Sequence, residues 1–179
     1  MKNGMSPSVP WIGLMIVFVF LLSRLLLGCD KEASRSGPWQ LGDAAPDFAA
    51  KDLDGNVTVL SSLGNGPIIL RFFESNCRFC KADTPIVSAF FRKHRDKGLK
   101  VLYIGSFYES EQSLRAFIAE LAPEFPVILD QGAKLADLYD VRAYPQTIFL
   151  SPDKRFAGGV LGAVGEAELG EILGKYLEP

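Results

Sequence analysis

The feature that most constrains the fold is the alternation of apolar runs with stretches of helical periodicity. The segments PIILRFF (67–73) and LKVLYIGS (99–106) are almost continuously apolar, and PVILD (126–130) is a shorter run of the same kind. Such runs are typical of strands that are covered on both faces. Between the last two runs, residues 114–121 place apolar side chains on one face of a helix. Strands that alternate with helices in this way predict right-handed crossovers and a mostly parallel sheet.

The remaining segments complete the order β-β-α-β-α-β-α-β-β-α. This order predicts one α/β sandwich domain whose mixed, mostly parallel sheet ends in an antiparallel hairpin. The helix after the first apolar run contains Pro85, which is expected to kink it. The other predicted elements are a strand at 57–63, a short helix at 133–140, two strands flanking residues 152–154, and a closing helix over 169–177.

The N-terminal part of the chain differs in composition from the rest. Residues 11–22, WIGLMIVFVFLL, are apolar and uncharged but fall short of the roughly 20 residues that span a bilayer as a helix. With Lys2 before them, they have the length of the apolar region of a secretory signal. Residues 29–40 are polar and lack periodicity, so they are predicted to be a tether that leads to a folded domain at 41–179.

The stretch Leu26-Leu27-Gly28-Cys29 resembles the cleavage box of bacterial lipoproteins. The resemblance implies that Cys29 is lipidated and becomes the mature N-terminus. The alternative is that residues 1–28 remain as an uncleaved signal anchor. Both interpretations place the domain in the cell envelope, facing the periplasm or the cell exterior, and attach it to the membrane through its N-terminus.

The charge and length of the chain exclude some functions. The net charge is −2 and no basic block is present, which argues against nucleic-acid binding. A domain of about 140 residues buries roughly two-thirds of its unfolded surface, so it needs neither a metal nor a disulfide to form a core. The cysteines therefore require a chemical rather than a structural explanation.

Cys77 and Cys80 form a Cys-x-x-Cys pair just after the first apolar run, where the following helix begins. The unpaired N–H groups and the dipole of a helix N-terminus stabilise a thiolate, and the neighbouring Arg78 adds a positive charge. Because the two cysteines are three residues apart, their sulfurs come within bonding reach on the first helical turn. This arrangement is sufficient for thiol–disulfide exchange, in which one thiol attacks and the other resolves the mixed disulfide.

Three other interpretations of the pair compete with exchange. A structural disulfide is possible, although it would close a very short loop and constrain the unfolded chain little. A zinc half-site would need two more ligands, and the chain offers only His94 and Cys29 besides carboxylates. Attachment of a c-type haem would require a histidine at position 81, which is Lys81. No cofactor is expected, and His94 is predicted to be a surface residue.

The chain resembles the thioredoxin-like proteins, and within them the TlpA/ResA (redoxin) type. The resemblance is carried by the Cys-x-x-Cys pair at a helix start, by Pro85 five residues later, by VRAYPQTIFLSPDK (141–154) and by LGDAAPDFAAKDLDGNVTVLSSL (41–63). It implies a three-layer α/β/α sandwich with an N-terminal β extension. It also implies reduction or exchange of disulfides in proteins outside the cytoplasm. Some members of the family keep the haem-attachment cysteines of apocytochrome c reduced.

The resemblance also implies roles for individual residues. Cys77 would be the nucleophile and Cys80 the resolving thiol. Pro145 would be a cis-proline facing the pair, and the Tyr144 backbone would hydrogen-bond an incoming peptide. Asp83 matches a position at which some members carry a glutamate that tunes the cysteines; the alternative is a solvated carboxylate on the first helical turn.

The sequence departs from the family pattern at three positions. Asn76 stands where tryptophan is usual, and Phe79 replaces a common proline. Arg71 stands where a buried acid or amide is expected; it either points at the cysteines, where it would stabilise a thiolate, or is ion-paired or directed outward. These departures leave the reduction potential, and hence the direction of electron flow, open.

Two functions from other classes remain as alternatives. A peroxiredoxin-like thiol peroxidase is disfavoured because Leu70 and Glu74 occupy the places of that enzyme's proline and hydroxyl residue. A non-enzymatic thioredoxin-fold binding module would not depend on Cys77 and Cys80. The expected partners of the exchange enzyme are proteins with disulfides or thiols and a membrane electron donor. The sequence does not indicate an oligomeric state.

Overall fold

A computed structural model describes residues 39–178 of the chain. Residues 1–38 and Pro179 lie outside the described residues, and with them the predicted signal or anchor, the lipoprotein-like box, Cys29 and most of the predicted tether. Among residues 39–178, no helix is both long enough and apolar enough to cross a bilayer.

Five strands form the central sheet. They are β3 (Ile68–Phe73), β4 (Lys100–Gly105), β5 (Val127–Leu129), β6 (Gln146–Leu150) and β7 (Phe156–Leu161), and they lie in the order β5-β4-β3-β6-β7. Strands β5, β4 and β3 pair in parallel, whereas β6 pairs antiparallel with both β3 and β7. All strands except β6 therefore run in the same direction, and the predicted mixed sheet with a C-terminal hairpin is confirmed.

A separate two-stranded hairpin precedes the sheet. Its strands are β1 (Ala49–Lys51) and β2 (Val57–Val59), which pair antiparallel. Two isolated bridges join this part of the chain to the two edges of the central sheet. Ala44 pairs with Arg155, next to β7, and Asp52 pairs with Ile128 in β5. The sequence predicted only one strand here, at 57–63. That strand ends earlier, at Val59, because Leu60–Ser62 form a 3-10 turn that buries Leu60.

Three α-helices connect strands of the central sheet, and a fourth follows β7. They are α1 (Arg78–His94), α2 (Glu111–Leu121), α3 (Lys134–Leu138) and α4 (Glu166–Leu177). Helix α1 continues through Pro85 as a single helix. Helix α3 is shorter than the predicted 133–140 because Ala133 and Asp140 have positive φ angles of 57° and 50°, which an α-helix does not accommodate.

Alternate side chains of β3 point to opposite sides of the sheet and build two cores. Ile69 and Phe73 pack with residues of α1, α2 and α4, and we name this side the α1 face. Leu70 and its neighbours pack with α3 and with the chain around the N-terminal hairpin, including Phe48; we name this side the hairpin face. The predicted thioredoxin-like sandwich has three layers. Helices α1, α2 and α4 form the first, the central sheet forms the second, and the hairpin with α3 forms the third.

Candidate active site

Cys77 is the N-cap residue of α1, a few residues beyond the end of β3. Its backbone is extended (φ −78°, ψ 119°), and its Sγ accepts a hydrogen bond from the backbone N–H of Cys80 at 3.4 Å. Cys77 is partly exposed, whereas Cys80 is fully buried, and both are free thiols. The structure therefore brings the two predicted sulfurs together at a helix N-terminus, where unpaired N–H groups and the helix dipole favour an anion.

The buried position of Cys80 makes the two thiols chemically unequal. Burial, and then the hydrogen bond with Cys77, raise the pKa of the Cys80 thiol to about 12. The backbone N–H of Glu74 and the guanidinium of Arg71 act in the opposite direction. Cys80 is therefore a protonated thiol at neutral pH, and it lies behind a sulfur that solvent and macromolecules reach.

The loop between β3 and α1 is held by Glu109, which follows β4. The Glu109 carboxylate accepts hydrogen bonds from the backbone N–H and the hydroxyl of Ser75, at 2.7 and 2.8 Å, and from the hydroxyl of Ser113 in α2. The segment just before Cys77 is thereby tied to the start of a second helix. The sequence did not predict this role of Glu109, because the two partners lie 34 residues apart.

Arg71 and Asp83 form a buried ion pair next to the cysteines. Arg71 is fully buried and Asp83 is 2% exposed, so the predicted alternatives of an outward arginine and a solvated carboxylate are both wrong. Burial raises the pKa of the Asp83 carboxyl, and the charge of Arg71 opposes that effect. The sequence named both residues but did not predict that they pair with each other.

Pro145 follows a cis peptide bond from Tyr144. Since the next residue, Gln146, faces Phe72 across the β3–β6 pairing, Pro145 lies at the end of the sheet from which Cys77 follows. Pro145 is buried and its carbonyl accepts a hydrogen bond from the N–H of Gly162 at 2.8 Å. Tyr144 is partly exposed, and within residues 39–178 its backbone N–H and C=O make no hydrogen bond.

Three exposed aromatic rings lie close in sequence to the ends of β3 and β4. The guanidinium of Arg78, which is exposed, stacks over the half-exposed ring of Phe79, 4.6 Å from its centroid. Phe107 and Tyr108 follow β4, and their ring centroids are 3.9 Å apart. Because β3 and β4 are parallel, these residues lie at the same edge of the sheet as Cys77. Two consecutive aromatics directly after a buried strand were a signal that the sequence interpretation did not use.

His94 lies at the other end of α1 from the cysteines. Its ring packs 4.5 Å from the Phe90 ring, and burial lowers its pKa. It is half-buried rather than fully at the surface. In the part of the chain that the structure describes, no three His, Cys, Asp or Glu side chains come together to hold a metal ion.

A Cys-x-x-Cys pair at the start of the first helix after a central strand, at the same end of the sheet as a cis-proline, identifies a thioredoxin-like thiol–disulfide oxidoreductase. Residues 41–157 match the model of the AhpC/TSA family, and the chain belongs to that family.

Individual relatives agree with this class. The thiol-disulfide oxidoreductase ResA of Oceanobacillus iheyensis is 31% identical over 130 residues, which cover 70% of this chain and 67% of the relative. ResA of Bacillus subtilis is 26% identical over 132 residues, 74% of this chain and 73% of the relative. The thioredoxin domain of a thiol-disulfide oxidoreductase from Bacteroides vulgatus has a similar structure, with a TM-score of 0.67 at 20% identity, covering 78% of this chain and 99% of that domain. The predicted fold and enzyme class are confirmed.

Proposed function

We propose that Cys77 is the nucleophile and Cys80 the resolving thiol in exchange with disulfides of protein substrates. The observation that carries this assignment is the difference in exposure: Cys77 is partly exposed at the helix N-terminus, whereas Cys80 is buried one turn further on. A macromolecular disulfide reaches only the first sulfur. The second sulfur lies close to the first and is shielded from competing thiols, which suits an intramolecular step.

The surroundings of Cys77 suit an extended polypeptide as substrate. The unpaired backbone groups of Tyr144 are available to a peptide strand, and the exposed rings of Phe79, Phe107 and Tyr108 offer apolar contacts at the same edge. A strand that adds to the backbone in this way gains affinity from main-chain hydrogen bonds and specificity from side-chain contacts. Apocytochrome c, whose haem-attachment cysteines must be reduced, is one substrate that the sequence resemblance implies.

The enzyme works in the cell envelope, tethered through its N-terminus. Support comes from the apolar segment 11–22 and from the lipoprotein-like box that ends at Cys29. A reductase in that location receives electrons from a membrane protein, because cytosolic reductants do not reach it. The membrane electron donor is thus the second expected partner, besides the protein substrates.

Trapping of mixed disulfides tests the assignment of the two cysteines. With Cys29→Ser as the common background, Cys80→Ser is expected to accumulate covalent, reductant-sensitive adducts with a disulfide-containing model peptide. Cys77→Ser and the Cys77→Ser/Cys80→Ser double variant are the matched controls and should form none. Adducts that form with Cys77→Ser but not with Cys80→Ser would reverse the roles of the two thiols. Unimpaired biological function of the double variant would instead support a non-enzymatic binding module.

The direction of electron flow follows from the reduction potential of the Cys77–Cys80 couple. The couple is equilibrated with defined thiol–disulfide buffers and read by alkylation and mass spectrometry. A value near about −270 mV, as in thioredoxin, identifies a reductase, whereas a value near about −120 mV, as in DsbA, identifies a disulfide donor. We expect the reductase, in keeping with the disulfide reduction that the sequence resemblance implies.

Peroxide reduction is the second candidate function, because the fold and the N-terminal region of the domain are similar to those of peroxiredoxins. Leu70 is buried on the hairpin face, and Glu74 is an acidic residue whose carbonyl accepts a hydrogen bond from the backbone N–H of Cys77. Neither supplies the hydroxyl that a peroxidatic cysteine needs. We expect hydrogen peroxide to be consumed with a thiol donor no faster than by the Cys77→Ser protein, and rapid turnover would favour the peroxidase.

A further inference from the structure

Arg71 is the one buried basic side chain among residues 39–178. It lies on the α1 face of β3, between Ile69 and Phe73, and is fully buried. Removing a guanidinium from water is unfavourable by several kcal/mol even after relaxation of the protein. A position that would suit an apolar residue is therefore occupied by a charge, and this requires an explanation.

The guanidinium is held by groups from three other parts of the fold. One terminal nitrogen, Nη2, donates to Oδ2 of Asp83 in α1, and the other, Nη1, donates to the hydroxyl of Thr147 in β6. Nη1 also donates to the carbonyl of Gly162, just after β7, at 3.1 Å. The charge is thus fixed in place between the sheet and the first turns of α1.

Asp83 is fixed equally well on one side of its carboxylate. Its Oδ2 also accepts a hydrogen bond from the backbone N–H of Val164 at 3.0 Å. In the described part of the chain, Oδ1 of Asp83 and Nε of Arg71 have no hydrogen-bond partner. The pair is rigid but not fully satisfied, which is unfavourable for stability.

Packing alone does not account for such a pair. Replacing a buried ion pair by apolar side chains of similar volume is often neutral or stabilising by about 1–4 kcal/mol. The pair lies beside Cys80, because Asp83 follows Cys80 by three residues and so shares its face of α1. The charge of Arg71 acts on the Cys80 thiol against the effect of burial.

We propose that Arg71 is a positioning residue for the second half of the exchange reaction: it holds Asp83 ionised and in place, and its buried positive charge favours the thiolate that Cys80 must form. This proposal rests on the proposed roles of Cys77 and Cys80. It assigns a function to a residue that departs from the family pattern at the sequence level.

The groups around Cys80 come from three elements. Helix α1 and its N-cap contribute the Asp83 carboxylate and the Cys77 sulfur. Strand β3 and the loop after it contribute Arg71 and the backbone N–H of Glu74. Strand β4 contributes the Tyr103 hydroxyl. Arg71 supplies the only positive charge in this set. Burial keeps Tyr103 neutral, since it raises the pKa of its hydroxyl far above neutral pH.

The reaction has two half-steps, and Arg71 acts on the second. In the first, the Cys77 thiolate attacks a disulfide R–S–S–R, a Cys77–S–R bond forms, and one RS⁻ leaves. In the second, Cys80 loses its proton and its thiolate attacks the Cys77 sulfur. The Cys77–Cys80 disulfide forms, the second RS⁻ leaves, and the proton passes to solvent or to that thiolate. The pair is oxidised by two electrons and the substrate is reduced by two.

An aromatic disulfide that releases a coloured thiolate separates these half-steps. The full chain carrying Cys29→Ser, reduced and then mixed with this reagent, should release two thiolates in two phases. Arg71→Met is expected to leave the first phase within about two-fold and to slow the second about ten-fold at pH 7, because an opposite charge nearby shifts a titration by about one unit or more. Arg71→Lys, which keeps the charge, should restore most of the rate. Arg92→Met, a surface arginine of α1 that pairs with Glu124, is the matched control and should change neither phase.

The pH dependence of the second phase distinguishes a charge effect from a structural one. Arg71→Met should displace the pH–rate profile of this phase by about one unit toward higher pH, whereas Asp83→Asn, which leaves Arg71 uncompensated, should displace it toward lower pH. A structural role predicts shifts in the same direction for both variants. Shifts of the same sign, or an unchanged profile in Arg71→Met, would overturn the proposal.

Two further outcomes are distinguishable from failure of this proposal. If the unsubstituted pair releases only one thiolate, as Cys80→Ser should, the proposed roles of the cysteines fail before Arg71 is tested. If Arg71→Met does not fold, Asp83→Asn decides alone: a downward shift supports the charge effect, and an upward or absent shift contradicts it.

Discussion

On the hairpin face of the central sheet, Leu70 is buried among apolar side chains, whereas the next residue of the same strand, Arg71, is buried on the α1 face in an ion pair with Asp83. The two residues are equally inaccessible to solvent. Their side chains differ in chemistry: Leu70 has no polar group to satisfy, whereas Arg71 has a full charge.

The difference separates what the two faces do. The hairpin face gains stability from apolar contact and carries neither redox cysteine. The α1 face combines an apolar core with a buried thiol, a buried ion pair and the hydroxyl of Thr84, all in or beneath the first turns of α1. The buried ion pair and the buried thiol thus lie together on the side of the sheet where the chemistry takes place.

The largest effect on stability should come from breaking the ion pair on one side only. Either Arg71→Met or Asp83→Leu leaves a buried charge without its partner, so each should lower the free energy of unfolding by about 3–5 kcal/mol. The Arg71→Met/Asp83→Leu double variant should recover most of that loss. Denaturant unfolding of the four proteins gives the coupling energy by a double-mutant cycle.

The matched change on the hairpin face is Leu70→Ala. It creates a cavity and should lower the free energy of unfolding by about 2–5 kcal/mol, while the reduction potential stays that of the unsubstituted protein. If the double variant on the α1 face were as unstable as the sum of the two single variants, Arg71 and Asp83 would contribute independently of each other and the contrast between the faces would disappear.

Continuous apolar sequence made the central strands predictable. Strands β3 and β4 lie within the predicted runs because a strand covered on both faces leaves little room for polar residues. Strand β1 was missed because Ala49–Lys51 has neither alternation nor bulk, and it exists through its pairing with β2. Helix α3 was predicted too long because positive φ angles at alanine and aspartate leave no pattern in the sequence.

The site was predictable where chemistry and sequence spacing coincide. Cys77 and Cys80 lie three residues apart, so the sequence alone places them on one helical turn. The resemblance to the family identified the peptide bond before Pro145 as cis. The Arg71–Asp83 pair connects a strand to a helix, and the Ser75–Glu109 contact spans 34 residues. Such contacts depend on how elements pack, and single-sequence periodicity carries no information about them.

Alkaline titration should destabilise the reduced protein through the buried Cys80 thiol on the α1 face. The folded pKa of Cys80, about 12, lies above its ordinary value of 9.0, so the folded protein retains a proton that the unfolded chain loses. The contribution of this retained proton to the free energy of unfolding is complete below about pH 9. It is lost at about 1.4 kcal/mol per pH unit as the pH rises toward 12.

We expect the free energy of unfolding to fall more steeply with rising pH in the reduced unsubstituted protein than in Cys80→Ser. Urea unfolding at several pH values, in the presence of a phosphine reductant, measures this difference. Tyr103 and Tyr139 also have pKa values raised by burial, one on each face, but both proteins contain them and their contribution cancels. Parallel curves would show that Cys80 titrates as an exposed thiol does.

The smallest expected effect is that of Tyr139→Phe on the hairpin face. Tyr139 is 1% exposed, and its hydroxyl donates a hydrogen bond to the carbonyl of Pro46 at 2.7 Å. Removing the hydroxyl should lower the free energy of unfolding by about 1 kcal/mol, because the ring still fills its place and only one hydrogen bond is lost. Both phases of the exchange reaction should keep their rates, since the cysteines lie across the sheet. A change in the second phase would mean that the hairpin face influences Cys80 through the sheet, and the chemistry could then no longer be assigned to one face.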